Sequence, residues 1–151
     1  KEAFSKFEKT ISANQKFVKN IKIKDFGLSN QNASLKMKFL TKYNYNQTGG
    51  SSIIYDSSFK EKNFFYAKFK IGDEILDIKN QKICFKIDVE RHEINVVDGL
   101  KKTLKENDSL ILIEIYEKNF YIINKILKEL GFNQIKKFKE RSNYLYSNFI
   151  N

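Results

Sequence analysis

The sequence is poor in the residue types that build disulfides, metal sites and membrane spans. It has one cysteine, Cys84, and one histidine, His92. A single cysteine excludes an internal disulfide. A single histidine cannot build a histidine-rich metal site and does not by itself indicate a Ser/His/Asp triad. No apolar run approaches the ~20 residues that a membrane helix needs. Glu2 and Lys6 interrupt the start of the chain, which lacks the pattern of a signal peptide. These absences predict a cytoplasmic protein with no membrane partner.

Positive charge is abundant, but its distribution shows no pattern. The formal net charge is +10, and the only arginines are Arg91 and Arg141, so the excess is nearly all lysine spread along the chain. This distribution is typical of a solvated basic surface, with a weak anionic partner as the alternative. The sequence lacks zinc-ligand spacing, a helix-turn-helix pattern and a glycine-rich RNA-binding strand, so we expect no specific nucleic-acid partner.

Length and patterning predict one α/β domain over residues 1–151. Apolar periodicity predicts helices at 2–19, 94–105 and 120–130, the last ended by Gly131. A single helical turn is predicted at 74–77. Strands are predicted at 21–26, 35–39, 64–71, 83–87, 110–115, 135–138 and 144–150. The strand–helix–strand order of 83–115 indicates a parallel crossover. The expected architecture is a mostly parallel sheet finished by a carboxyl-terminal antiparallel hairpin. Cys84 lies inside a predicted strand, as a small core residue or, alternatively, a reactive thiol.

Two glycine-containing stretches are predicted to be irregular. Residues 27–32 carry Gly, Ser and Asn and are expected to form a turn. Residues 48–52 read Thr-Gly-Gly-Ser-Ser within the least regular part of the chain. This second stretch is either a flexible surface loop or a loop whose N–H groups hold an anion. No Gly-Lys-Ser/Thr follows it, which excludes a P-loop.

The strand at 83–87 ends abruptly in the charged residues Asp88, Glu90 and Glu93. In an open α/β sheet this strand-to-helix turn opens into the crevice where ligands bind. The carboxylates are candidates to orient a hydroxyl, act as a base or hold a hard metal. The alternative is that they stabilise the first turn of the following helix through its dipole, which we favour for Glu93. His92 is interpreted as solvent-facing or helix-capping rather than catalytic.

Glu114 lies near the carboxyl end of the next predicted strand, so we expect it at the same edge of the sheet as Asp88. A carboxylate on a buried strand requires a partner or an open cleft.

Taken together, these segments resemble the FkbM-type S-adenosylmethionine-dependent methyltransferases. The resemblance rests on Lys-Ile-Asp-Val-Glu-Arg-His-Glu at 86–93, Val-Asp-Gly-Leu at 97–100 and Leu-Ile-Leu-Ile-Glu-Ile at 110–115. These three separated elements occur in the family's order. Gly-Leu-Ser-Asn at 27–30, Gly-Gly-Ser-Ser at 49–52 and Ile-Gly-Asp at 71–73 also fit, so the resemblance covers most of the chain.

The resemblance implies a Rossmann-like class I methyltransferase domain that uses S-adenosylmethionine to methylate a hydroxyl of a small molecule or glycan. It implies catalytic roles near the reacting methyl group for Asp88 and Glu90. The implied cofactor-binding residues are Gly27, Leu28, Ser29 and Asp88. The implied substrate-binding residues are His92, Glu93 and Glu114.

The sequence departs from the family pattern in two places. Arg91 stands where the family has glycine, and the glycine-rich motif that holds the cofactor's methionine end is absent. With Lys1 at the start and Met37 as the only methionine, this predicts an amino-terminally incomplete domain, the carboxyl-terminal portion of the fold. A non-catalytic remnant or binding module is the alternative function, and a basic nucleic-acid-binding domain is the weakest one. An incomplete sheet would leave an exposed edge open to self-association.

Overall fold

A computed structural model of the chain describes residues 2–42, 45–55, 64–138 and 142–150. The helices are α1 Glu2–Ala13, α2 Gln15–Val18, α3 Gly72–Ile75, α4 Glu93–Asp98, α5 Lys101–Lys105 and α6 Glu117–Glu129. The strands are β1 Gly27–Ser29, β2 Ala33–Lys42, β3 Tyr45–Ile53, β4 Phe64–Ile71, β5 Lys82–Ile87, β6 Asp108–Glu114, β7 Asn133–Phe138 and β8 Asn143–Ser147. The α/β class is confirmed. In the described part of the chain, each helix is too short or too polar to cross a bilayer.

The strands form two mixed sheets of four, with orders β1-β4-β2-β3 and β5-β6-β8-β7. Among the described pairings only β1–β4 and β5–β6 are parallel; the other four are antiparallel. The prediction of one mostly parallel sheet is therefore wrong. The physical reason is that β2–β3 and β7–β8 are adjacent in sequence and antiparallel, a pairing that a short connection permits, whereas a parallel pair needs a crossover.

The predicted antiparallel pair at the carboxyl end is confirmed by β7 and β8. The predicted turn at 27–32 is wrong in part, because Gly27–Ser29 is a strand, and the predicted loop at 48–52 is wrong, because it lies within the strand Tyr45–Ile53. Weak local preference is overridden where a partner strand is available. The strand predicted at 21–26 does not form, since the pairing with β4 begins only at Gly27.

Two predicted helices are each divided in two. The amino-terminal helix breaks at Asn14, whose side-chain amide donates to the Thr10 carbonyl; such local bonds compete with helix continuation. The helix after β5 breaks at Gly99. Asp73 explains this second break, because its carboxylate accepts from the N–H groups of Lys102 and Thr103 at 2.9 and 2.8 Å and so caps the start of α5.

The predicted end of α6 is confirmed. Gly131 has φ +88°, its N–H donates to the Lys128 carbonyl, and the Phe132 N–H donates to the Leu127 carbonyl. This pair of bonds is a Schellman motif, which requires a left-handed residue and so favours glycine.

The hydrophobic core lies between one face of the second sheet and the helices α4, α5 and α6. Its fully buried members include Val97, Leu104, Ile111, Ile113 and Leu127. Side chains alternate between the faces of a strand. On β5, therefore, Ile83, Phe85 and Ile87 share one face and Cys84 points to the other. Cys84 is exposed, and its prediction as a core residue is wrong. Strands β5 and β7 are the outer strands of this sheet, and self-association through such an edge stays a prediction.

Candidate functional site

The turn between β5 and α4 carries the charged residues in an unusual backbone conformation. Glu90 has φ 47° and Arg91 has φ 76°. Two successive residues other than glycine therefore lie in the left-handed region, which costs about 1–2 kcal/mol per residue. The position at which the resemblance expects glycine, now Arg91, is one of the two. The turn must be held by contacts elsewhere in the molecule.

Glu93 supplies one of these contacts. Its Oε1 accepts from the Arg91 N–H at 2.6 Å, and its Oε2 accepts from the Asn119 side-chain amide at 3.3 Å. Only 1% of Glu93 is exposed. It is the first residue of α4, in agreement with the helix-stabilising interpretation. It lies behind the turn and ties it to α6, and its substrate-binding role stays a prediction.

His92 is buried against β1 and β4 of the first sheet, and the expectation that it faces solvent is wrong. It is 3% exposed, with Nδ1 2.7 Å from the Tyr55 hydroxyl and Nε2 3.0 Å from Ser29 Oγ. The edge of the Phe69 ring packs against it, with centroids 5.3 Å apart. It occupies the N-cap position of α4 but makes no side-chain capping bond. Burial lowers the pKa of His92 to about 4, so the imidazole is neutral near pH 7.

The neutral ring fits a directed chain of hydrogen bonds. Ser29 Oγ also lies 3.4 Å from Asn30 Oδ1, to which its hydroxyl donates. Ser29 then accepts from His92 Nε2–H, which leaves Nδ1 to accept from the Tyr55 hydroxyl. Asn30 in turn donates to Asp98 Oδ2 at 2.9 Å. This chain joins the end of β3, the end of β1 and helix α4.

A cavity of about 400 Å³ opens beside His92. We call it the acidic cavity, because its lining within the described part of the chain has two carboxylates and no cationic side chain. Its lining residues are Gly27, Leu28, Met37, Ser51, Ile53, Ala67, Phe69, Asp88, Val89, Glu90 and His92. Five predicted site residues are therefore brought to one cavity. Ser29 is fully buried beneath His92.

Asp88 and Glu114 lie at the same edge of the parallel pair β5–β6, as the sequence predicts. Ile87 pairs with Ile113, so the two acids occupy the next position on adjacent strands. Burial and then the neighbouring Asp88 carboxylate raise the pKa of Glu114, while Lys86 opposes the shift. Lys86 Nζ forms an exposed ion pair with Asp88 at 3.1 Å. Glu114 lies next to Asp88 but does not line the acidic cavity.

Glu90 is held by Tyr116, a residue that the sequence analysis missed. The Tyr116 hydroxyl donates to Glu90 Oε2 at 2.9 Å, and this bond is the main reason that the pKa of Tyr116 is raised. The Arg91 guanidinium lies 5.0 Å from the centre of the same ring. Tyr116 directly follows the predicted strand at 110–115. Its position at the edge of the sheet where ligands bind could have identified it as a site residue from the sequence.

A second cleft of about 440 Å³ lies on the other side of the turn. We call it the basic cleft, because the described residues that line it include three cationic side chains and no carboxylate. Its lining residues are Lys38, Ser52, Ile53, Ile54, Tyr55, Arg91, Ile94, Asn95, Lys118 and Asn119. The even spread of lysine in the sequence concealed this local concentration of charge.

Comparisons with models of protein families, with curated proteins and with solved structures find no match to this chain. Among the described residues, no group of three or more His, Cys, Asp or Glu side chains is arranged to hold a metal ion. The function is therefore inferred from the geometry of the two clefts and from the residues that line them.

Proposed function

We propose that this chain is an S-adenosylmethionine-dependent methyltransferase of the FkbM type, which methylates a hydroxyl of a small molecule or glycan. One observation carries the proposal. Residues assigned to the site by the resemblance, from segments about sixty positions apart in the chain, line one cavity. They are Gly27, Leu28, Asp88, Glu90 and His92.

The second sheet is compatible with the carboxyl-terminal portion of a Rossmann-like domain. A parallel pair, β5–β6, is joined through α4 and α5, and an antiparallel pair follows it. Asp88 lies just beyond the carboxyl end of β5, where ligands bind in folds of this type. The first sheet, with its antiparallel strands, does not support a Rossmann-like fold, although β1 contributes Gly27 and Leu28 to the cavity.

The residues of the acidic cavity fit the cationic and aromatic parts of S-adenosylmethionine. The sulfonium and the amine of that cofactor are positively charged, and Asp88 and Glu90 supply opposite charge. Leu28 and Phe69 supply apolar surface for a purine ring. When bound, the cofactor supplies a methyl group that a hydroxyl oxygen can accept.

The two acids of the cavity have different surroundings. One oxygen of Glu90 is occupied by the Tyr116 hydroxyl, so Glu90 contributes charge in a fixed position. Among the described residues, Asp88 contacts Lys86 in an exposed ion pair and lies beside Glu114. We assign to Asp88 the role of accepting the proton of the acceptor hydroxyl. The buried, neutral His92 fixes the wall of the cavity through Ser29 and Tyr55.

Calorimetric titration of this chain with S-adenosylhomocysteine tests the proposal. We expect Asp88→Asn to weaken binding about tenfold, since it removes a charge beside the ligand. Asp108→Asn is the matched control, because Asp108 is exposed at the amino end of β6, away from the cavity. If the protein does not bind the ligand, the methyltransferase proposal is wrong.

A non-catalytic binding module is the second candidate, and Arg91 favours it. A long side chain stands in the turn at the position where the resemblance expects glycine. This candidate predicts that S-adenosylhomocysteine binds but that no methyl group is transferred to sugar hydroxyls. Transfer measured with a labelled methyl donor would exclude it.

A further inference from the structure

The two cavities are neighbours of opposite charge. Ile53 lines both of them. The acidic cavity carries Asp88 and Glu90, and the basic cleft carries Lys38, Arg91 and Lys118. Within the described part of the chain, neither Arg91 nor Lys118 forms an ion pair with an acidic side chain. A ligand that spans both cavities would therefore meet negative charge at one end and positive charge at the other.

The strained turn is what separates the charges. Glu90 lines the acidic cavity and the next residue, Arg91, lines the basic cleft. Glu90 and Arg91 both have positive φ, and in this backbone conformation their side chains line different cavities. Backbone strain of this kind persists where the surrounding structure enforces it, and it concentrates at binding sites. The bond from the Arg91 N–H to Glu93 and the packing of the guanidinium on Tyr116 hold the cation in place.

The charge of the basic cleft matches a phosphate group. A phosphomonoester carries close to two negative charges near pH 7 and has three acceptor oxygens. Arginine binds phosphate through its planar set of N–H groups, and lysine binds it as a point charge. Lys38, Arg91 and Lys118 come from β2, the β5–α4 turn and α6, so the site is assembled only in the folded chain. A carboxylate carries a single charge and has two acceptor oxygens, so it offers Arg91 and Lys118 less negative charge than a phosphate does.

We propose that the basic cleft binds the phosphate group of the acceptor, whose hydroxyl reaches the acidic cavity past Ile53. The substrate class is then a phosphomonoester with a free hydroxyl, such as a sugar phosphate. This inference rests on the proposed methyl transfer for the role of the hydroxyl, whereas the phosphate site itself is measurable without the cofactor.

Titration of the chain with glycerol phosphate, glycerol, inorganic phosphate and acetate tests the site, with binding followed by calorimetry. We expect glycerol phosphate and inorganic phosphate to bind and glycerol to show no binding. Acetate should bind at least tenfold more weakly than phosphate. Equal binding of acetate and phosphate would overturn the assignment to phosphate, and no phosphate binding would overturn the site.

Variants separate the cleft from the general positive charge of the protein. Lys118→Gln should weaken phosphate binding about tenfold, whereas Lys128→Gln, on the same helix but outside the cleft, should leave it unchanged. Arg91→Gly should also weaken binding about tenfold while the protein stays folded, because glycine suits the backbone of that position. Equal losses in the Lys118 and Lys128 variants would show a non-specific charge effect and overturn the proposal.

The two proposals fail independently. Phosphate binding that depends on Lys118, in a protein that does not bind S-adenosylhomocysteine, would support the phosphate site and reject methyl transfer. S-adenosylhomocysteine binding without phosphate binding would support the methyltransferase and reject a phosphorylated acceptor.

Discussion

Gly99 lies directly against the backbone of Ser29. A Cβ atom built on Gly99 would lie 2.6 Å from the Ser29 carbonyl carbon and closer still to its oxygen. The helical segment after β5 therefore packs on β1 backbone to backbone, with no room for a side chain. This contact fixes Ser29, and through it His92, relative to the second sheet.

We expect Gly99→Ala to lower the free energy of unfolding by about 3 kcal/mol or more, because rigid backbone cannot move aside as a flexible side chain can. Gly131→Ala is the comparison. A Cβ on Gly131 has open space, and only the φ of +88° opposes it, so we expect a loss of about 1 kcal/mol. Urea unfolding measures both values. Equal stability of Gly99→Ala and the parent would contradict the close contact.

The strain at Arg91 is measurable by comparing two substitutions. Arg91→Gly and Arg91→Ala both remove the guanidinium and its contact with Tyr116, but only glycine relieves the φ of 76°. We expect the glycine variant to be more stable than the alanine variant by about 1 kcal/mol. Unfolding in urea gives this difference directly, and a more stable alanine variant would show that the turn is not left-handed in solution.

The burial of His92 predicts a loss of stability in mild acid. Its pKa of about 4 in the folded protein lies below its value of about 6.5 in an unfolded chain. Between these values the unfolded state binds the proton and the folded state does not, so stability falls as the pH falls through this window. From about pH 7 to about pH 5 we expect His92 to account for a loss of about 2 kcal/mol.

His92→Gln provides the control for this effect. The amide of glutamine retains a donor and an acceptor for Ser29 and Tyr55 but does not titrate. All other groups titrate in both proteins, so the difference between their unfolding free energies isolates His92. If the two proteins lose the same stability from about pH 7 to about pH 5, the buried neutral imidazole is contradicted.

The proximity of Asp88 and Glu114 predicts a coupled titration. Burial, the Asp88 carboxylate and the Glu90 carboxylate raise the pKa of Glu114, so Asp88→Asn should lower that pKa by removing the charge of Asp88. Carbon NMR of the Glu114 carboxyl follows the change. Asp108→Asn, at the opposite end of the β5–β6 pair, should leave the Glu114 pKa unchanged. If the pKa of Glu114 is unchanged in Asp88→Asn, the two carboxylates do not interact, and their proximity is contradicted.

The sequence predicted those features that depend on local pattern. The helix α6 and its end at Gly131 follow from apolar spacing and from the need for a left-handed residue. The common edge of Asp88 and Glu114 follows from two consecutive apolar strands with a helical segment between them. Cys84 was misplaced because an apolar neighbourhood does not reveal which face of a strand is covered.

The sequence by itself determined the α/β class, the strands β5 and β6 and the clustering of acids after β5, because each depends on residues close together in the chain. Only the tertiary structure decided the two mixed sheets, since strand pairing depends on distant partners such as β1 and β4. It also decided that His92 is buried against Ser29 and that Lys38, Arg91 and Lys118 line one cleft. Those contacts join segments up to eighty positions apart, so local sequence patterns cannot predict them.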